Sequence, residues 1–177
     1  KPAETGVPPG GPQDAQALRR AADVDDALDD VCPERFALPA SPEVAARAEG
    51  RCVSLPAIQA AWARLRARHE FMLVEGAGGL LVPLDEATDM AGLAAMLALP
   101  VLVVARARLG TINHTLLTLD AARTRGLEVF GVVISHAEGV VSEADAHNLE
   151  SLRRRLGRLL LGEIPPLAGG IAPDPSA

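Results

Sequence analysis

From residue 71 onward, four short apolar runs recur: FMLVE at 71–75, PVLVVA at 100–105, VFGVVIS at 129–135 and LLLGEI at 159–164. Each is too short for a helix and is nearly continuous in apolar character, the pattern of strands buried on both faces. Apolar positions at helical spacing predict helices near 88–98, 111–125 and 142–156, between those runs. Strand alternating with helix implies right-handed crossovers and a doubly wound, mainly parallel α/β sheet. Upstream, a helix begins near Asp14. In SPEVAARAEG, Ser41 stands as an N-cap, Pro42 takes the first helical position, Glu43 lies in the first turn and Gly50 closes the helix. LPAIQAAWARLRARHE then places Ile58, Trp62 and Leu65 on one helical stripe. The opening, with Pro8, Pro9, Gly10, Gly11 and Pro12, predicts irregular chain, as does the tail at 168–177.

Composition narrows the picture. A chain of 177 residues that is 49% hydrophobic suits one compact domain spanning 1–177. Only 2% of residues are aromatic, so Ala, Leu and Val must build the core. A formal net charge of −6 argues against a nucleic-acid partner, which needs clustered Lys and Arg. The one basic run, Arg153 to Arg155, reads as a solvated helix face, and Asp23, Asp25, Asp26, Asp29 and Asp30 as an exposed acidic turn or face. Cys32 and Cys52 have no metal-site spacing and read as reduced thiols of a cytoplasmic protein. No apolar run reaches the ~18–20 residues of a membrane span, and no signal peptide is evident. The first residue is Lys1 and not Met, which predicts a start that was cut, processed or left out.

Ligands of such sheets bind outside the carboxyl ends of the strands, and two motifs fall there. In VEGAGG, Glu75 ends an apolar run and Gly76, Gly78 and Gly79 follow, permitting close backbone approach to a ligand; a plain glycine turn with an exposed acid is the competing reading. In ARARLGTINHTLL, Gly110 precedes Thr111, which reads as an N-cap, so free amides of the next helix form an anion site. An ordinary cap with Asn113 and His114 as first-turn polar residues accounts for that motif as well. Lys1, Asp14 and Glu75 are the residue types that phosphoryl chemistry collects around ATP and magnesium, although sequence does not establish that they converge. His69, His114, His136 and His147 lack metal-ligand spacing.

KPAETG, Asp14 in DAQAL, SPEVAARAEG, VEGAGGLLVPL, LPVLVVARARLGTINHTLLTL, ARTRGLEVFGVVIS and LLGEIPPL occur in an order that resembles dethiobiotin synthetase, over almost the whole chain. The resemblance implies a Rossmann-like fold of the P-loop NTPase type. It also implies ATP-dependent joining of 7,8-diaminononanoate and CO2 in biotin synthesis, with Mg2+ as cofactor and a homodimer as the active unit. By the same resemblance Lys1 is the catalytic lysine of a KPxxSG-type motif, with Thr5 where serine is usual and Gly6 at its glycine. Asp14 and Glu75 are the metal ligands, and Glu75, Gly76, Gly79, Ser135 and Pro165 belong to the nucleotide. Thr5, Gly78, Gly110, Thr111, Ile112 and Asn113 belong to the substrate, the helix start being donated by the neighbouring subunit.

Two departures accompany the resemblance. No GxxxxGK[ST] phosphate loop occurs in the 177 residues, which predicts a truncated chain lacking the first strand, that loop, the first helix and the second strand. Such a chain is expected to expose sheet surface and to aggregate. Ser135 stands where the family usually carries an asparagine for the adenine base, and a hydroxyl makes fewer hydrogen bonds than an amide, so relaxed nucleotide selectivity is expected. The rival readings are a partitioning-type ATPase, which would want a basic surface or tail, an amide ligase of the cobalamin pathway, which would want a glutaminase segment, and a non-catalytic remnant.

Overall fold

The computed structural model describes residues 1–137 and 141–166, so the predicted irregular tail at 168–177 lies outside the described residues. Where the sequence reading expects one domain, packing divides the chain into two compact units, Lys1–Leu97 and Ala98–Ala177. Among the described residues no helix is long and apolar enough to cross a membrane.

The first unit opens with strand β1 (Ala3–Thr5), inside the stretch expected to be irregular. It pairs in parallel with β2 (Glu34–Phe36), Ala3 opposite Glu34 and Thr5 opposite Phe36. The proline-glycine run starts only after β1, and Gly6, at φ +69°, turns the chain out of it. Helix α1 (Gln13–Ala21) follows, then the single turn α2 (Leu28–Val31). In α3 (Pro42–Ala48), Ser41 holds the cap position but its hydroxyl caps nothing, and Pro42 fills the first helical position as expected. Helix α4 (Leu55–Arg66) is capped by Ser54, whose side chain accepts from the Ala57 amide at 3.2 Å. It buries Ile58 and Ala61, while Trp62 and Leu65 are half-buried.

The acidic cluster is not simply solvated. Asp26 is only 8% exposed and lies 2.8 Å from both Arg68 and His69, and Asp30 pairs with Arg64 at 2.7 Å. A carboxylate can leave water here because α4 and the turn after it supply opposing charge. Cys32 is fully buried, which pushes its thiol up to about 11, and Cys52 is exposed; both are free.

The FMLVE run is not a strand. Phe71 and Leu73 are 79% and 77% exposed, whereas Met72 and Val74 are half-buried, so the run keeps strand-like alternation without a ladder. A strand is defined by a hydrogen-bonded neighbour, and none flanks this run among the described residues. The chain then turns through VEGAGG into α5 (Met90–Met96), capped by Asp89 through the Gly92 amide at 2.8 Å.

In the second unit the expected strands form: β3 (Val101–Arg106), β4 (Val129–Ser135) and β5 (Leu160–Ile164), all parallel in the order β3-β4-β5. The crossovers are α6 (Thr111–Thr124) and α7 (Glu143–Leu156). Val103, Ala105, Val132 and Ile134 of the sheet pack with Leu119 of α6 and with Leu149, Leu152 and Leu156 of α7. These are small and aliphatic side chains, as the near absence of aromatics requires. The strands are not buried on both faces: Leu102, Val104 and Leu161, which alternate with core residues, and Phe130, at the register shift of β4, are 42–64% exposed. Gly131 lets Leu161 cross β4, because a Cβ there would lie 2.5 Å from Leu161 Cγ.

The ends of β4 and β5 are tied by charge. Glu163 accepts from the Arg153 guanidinium at 2.9 Å and lies 2.7 Å from His136 Nε2, so Arg153 is not part of a merely solvated face. The Arg153 bond, with His136 and against some burial, draws the Glu163 carboxyl from 4.5 to about 2. A depressed folded-state pKa adds stability above the unfolded value and loses it as pH falls through the folded one. Glu163→Gln is therefore expected to lower thermal stability at pH 7 by ~1 kcal/mol or less, since the pair is partly exposed. In melts recorded across pH, the gap between variant and parent should close from about pH 4.5 to about 2.

Candidate active site

Lys1 enters β1 with its side chain only 7% exposed. An ammonium withdrawn from water must be paired, and this one has two carboxylates. Its Nζ lies 2.8 Å from Asp14 Oδ2 and 2.7 Å from Glu75 Oε1, with the Gly76 carbonyl at 3.5 Å. Burial alone would push the ammonium pKa down, but the hydrogen bonds from Asp14 and Glu75 outweigh it and leave Lys1 above its ordinary value. Three residues that the sequence left unlinked thus meet: one before β1, one in the first turn of α1 and one in the VEGAGG turn.

Both carboxylates are about half exposed, 56% for Asp14 and 52% for Glu75. Two accessible carboxylates beside one cation fit a magnesium ion, which takes one or two protein oxygens and completes its shell from phosphate and water. No group of three or more His, Cys, Asp or Glu among the described residues could cage a metal alone. Gly78, at φ +73°, gives the VEGAGG turn its shape, and a Cβ there would meet Val82 Cγ2 at 2.9 Å. Gly76 and Gly79 do not need positive φ, and Gly79 faces open space. Thr5 ends β1, half-buried, beside Gly6.

In the second unit the LGTINH motif opens α6, with a shift from the expected cap. Gly110 is the N-cap, in left-handed geometry at φ +89°, and Thr111 is already the first helical residue. Its hydroxyl does not cap the helix: Thr111 is 3% exposed, and its Oγ1 has no hydrogen-bond partner among the described residues. Gly110, Thr111, Ile112 and Asn113 line an open cleft of about 720 Å³ that continues past Leu109 and Leu117 to Arg123 of α6 and to Asn148 and Arg155 of α7. First-turn amides and two guanidiniums favour an anion in this cleft, against the one carboxylate, Asp120, that also lines it. The sequence reading missed the arginines, because Arg155 sits in the run taken as a solvated face. Only its place on α7 beside α6 gives it another role.

Ser135 and Pro165 also come together. Ser135 pairs with Ile164 across β4 and β5, and the His136 amide donates to the Ile164 carbonyl at 2.9 Å, leaving Pro165 just beyond. Both lie at carboxyl ends of parallel strands.

A family model described as an AAA domain matches residues 1–173. Over 158 residues the chain is 51% identical to the ATP-dependent dethiobiotin synthetase BioD of Anaeromyxobacter sp. (strain Fw109-5), covering 89% of this chain and 71% of that protein. It is 54% identical over 135 residues to the protein of the same name from Anaeromyxobacter sp. (strain K), covering 76% and 60%. To that of Bacillus subtilis (strain 168) it is 40% identical over 140 residues, covering 79% and 61%. The chain thus spans between 60% and 71% of the length of these curated relatives. With the family model matched almost from end to end and half the residues shared with a relative of which it covers more than two thirds, the chain belongs to the ATP-dependent dethiobiotin synthetase family.

Proposed function

We propose that this chain works as a dethiobiotin synthase, a ligase that uses ATP to carboxylate 7,8-diaminononanoate and close its ureido ring. The observation that carries the reading is the Lys1 ammonium held between Asp14 and Glu75, at 2.8 and 2.7 Å, in a chain of this family. In the proposed sequence one amine adds to CO2 as a carbamate, and the carbamate oxygen attacks the γ-phosphorus of ATP with loss of ADP. The second amine then attacks the carbonyl of the mixed anhydride and expels phosphate.

Charge gathers on the phosphoryl oxygens in that sequence, and Lys1 is the local cation for it. Asp14 and Glu75 would hold a magnesium ion, which when bound offsets phosphate charge. Glycines 76 and 79 leave backbone open to close approach by a nucleotide. The α6 cleft would receive the substrate carboxylate, its first amides and the Thr111 hydroxyl donating. We assign that cleft to the partner subunit's substrate in a homodimer; exposed Leu109 (77%) and Leu117 (59%) at its rim support such an interface.

The test is dethiobiotin formation by the full-length protein from 7,8-diaminononanoate, bicarbonate and ATP with Mg2+, followed by mass spectrometry; no product at any Mg2+ concentration would reject the reading. Glu75→Gln is expected to lower kcat by about 10- to 100-fold and to raise the Mg2+ needed, the scale of losing one charged contact to the reacting groups. Undiminished turnover would remove Glu75 from the site. Thr111→Val should raise KM for the diamine about tenfold while leaving the melting temperature unchanged or higher, because the lost hydroxyl has no partner in the fold. Leu117→Glu should shift the sedimentation of the protein from dimer to monomer.

A further inference from the structure

Glu4 is a third acid beside this site, after Asp14 and Glu75, and has no assigned role. It lies at the centre of β1, 5% exposed, and its carboxylate does not touch Lys1. Both of its oxygens reach across to α1: Oε1 accepts from the Asp14 amide at 3.0 Å and Oε2 from the Ala15 amide at 2.9 Å. These are the second and third amides of the helix, donors that a side chain at the N-cap normally satisfies. The N-cap here is Pro12, which makes no side-chain bond. A residue ten positions upstream, on another element, performs the capping.

That substitution has a geometric consequence. A local cap ties a helix to itself, whereas Glu4 ties the amide of Asp14 to the strand that Lys1 enters. The Asp14 side chain then meets the Lys1 ammonium at 2.8 Å. We propose that Glu4 is a positioning residue, its buried carboxylate fixing the first turn of α1 so that the Asp14 carboxylate is held against Lys1 and toward the metal-bound phosphates. The metal-side half of this role rests on the function proposed above; the Lys1 half does not. Charge-assisted bonds to a buried carboxylate are stronger than neutral ones, so an amide at position 4 cannot replace it: Gln keeps one acceptor and turns a donor toward a donor.

Acetylation of the Lys1 ε-amine by limiting acetic anhydride, mapped to its own peptide by mass spectrometry, reads the state of this ammonium directly. Glu4→Gln is expected to speed that labelling about threefold or more, and to raise about tenfold the Mn2+ concentration that half-saturates the ATP-bound protein in paramagnetic resonance, the scale of one lost charged hydrogen bond. A second variant separates positioning from simple capping. Adding Pro12→Asp to Glu4→Gln gives α1 its own cap, and should restore the melting temperature without restoring Lys1 protection or Mn2+ affinity. If Glu4→Gln melts lower yet labels and binds Mn2+ as the parent does, or if the double variant recovers all three properties, Glu4 is a helix cap only and the proposal fails. Faster Lys1 labelling in Glu4→Gln alongside a parent protein that forms no dethiobiotin would instead retain the positioning role and reject the proposed reaction.

Discussion

One buried ammonium organises the first unit. Lys1 leaves water almost completely, and an unpaired charge in that position would cost several kcal/mol. The chain answers by bringing Asp14 and Glu75 to it from 13 and 74 residues away, through a helix start and a glycine turn. Each needs its own support. Asp14 is placed by an α1 whose first amides are held from β1, and Glu75 by a turn that closes at Gly78, where a side chain would be strained by the φ of +73° and would crowd Val82. The resulting arrangement keeps both carboxylates half exposed beside a cation, a charge pattern able to receive a metal-bound polyphosphate.

The second unit works by another means. Its three parallel strands all end on one edge, which gathers Ser135, His136 and Ile164, with Glu163 bridging Arg153 and His136 there. Its α6 begins with a glycine in left-handed geometry, and the threonine that follows is buried, its hydroxyl without a hydrogen-bond partner among the described residues. An orphaned polar atom in a folded protein is destabilising unless something outside the chain satisfies it.

Elements supported by their own sequence were legible before any coordinates. β4 spans the expected residues 129–135, and β3, β5, α6 and α7 lie within about two residues of expectation, because crossover strands and amphipathic helices announce themselves by run length and period. Elements that depend on a neighbour were not. FMLVE has strand composition but no ladder, and AET and ERF are too short to signal anything alone, yet they pair. The acidic cluster and the arginine run misled in part for a related reason: exposure was inferred from charge, which holds for Arg154 and Arg155, whereas Asp26 and Arg153 acquire partners from elements distant in sequence.

The site divides in the same way. Residue types and order alone determined the family likeness, the parallel α/β class and the candidates Lys1, Asp14, Glu75 and the LGTINH start, since chemistry at short spacing is written locally. Only the tertiary structure decided that the Asp14 and Glu75 carboxylates share the Lys1 ammonium, that Gly110 rather than Thr111 caps α6, and that Glu4 holds the helix carrying Asp14. Those facts depend on distances between elements far apart in sequence, and a linear pattern carries no distance beyond the turn it encodes.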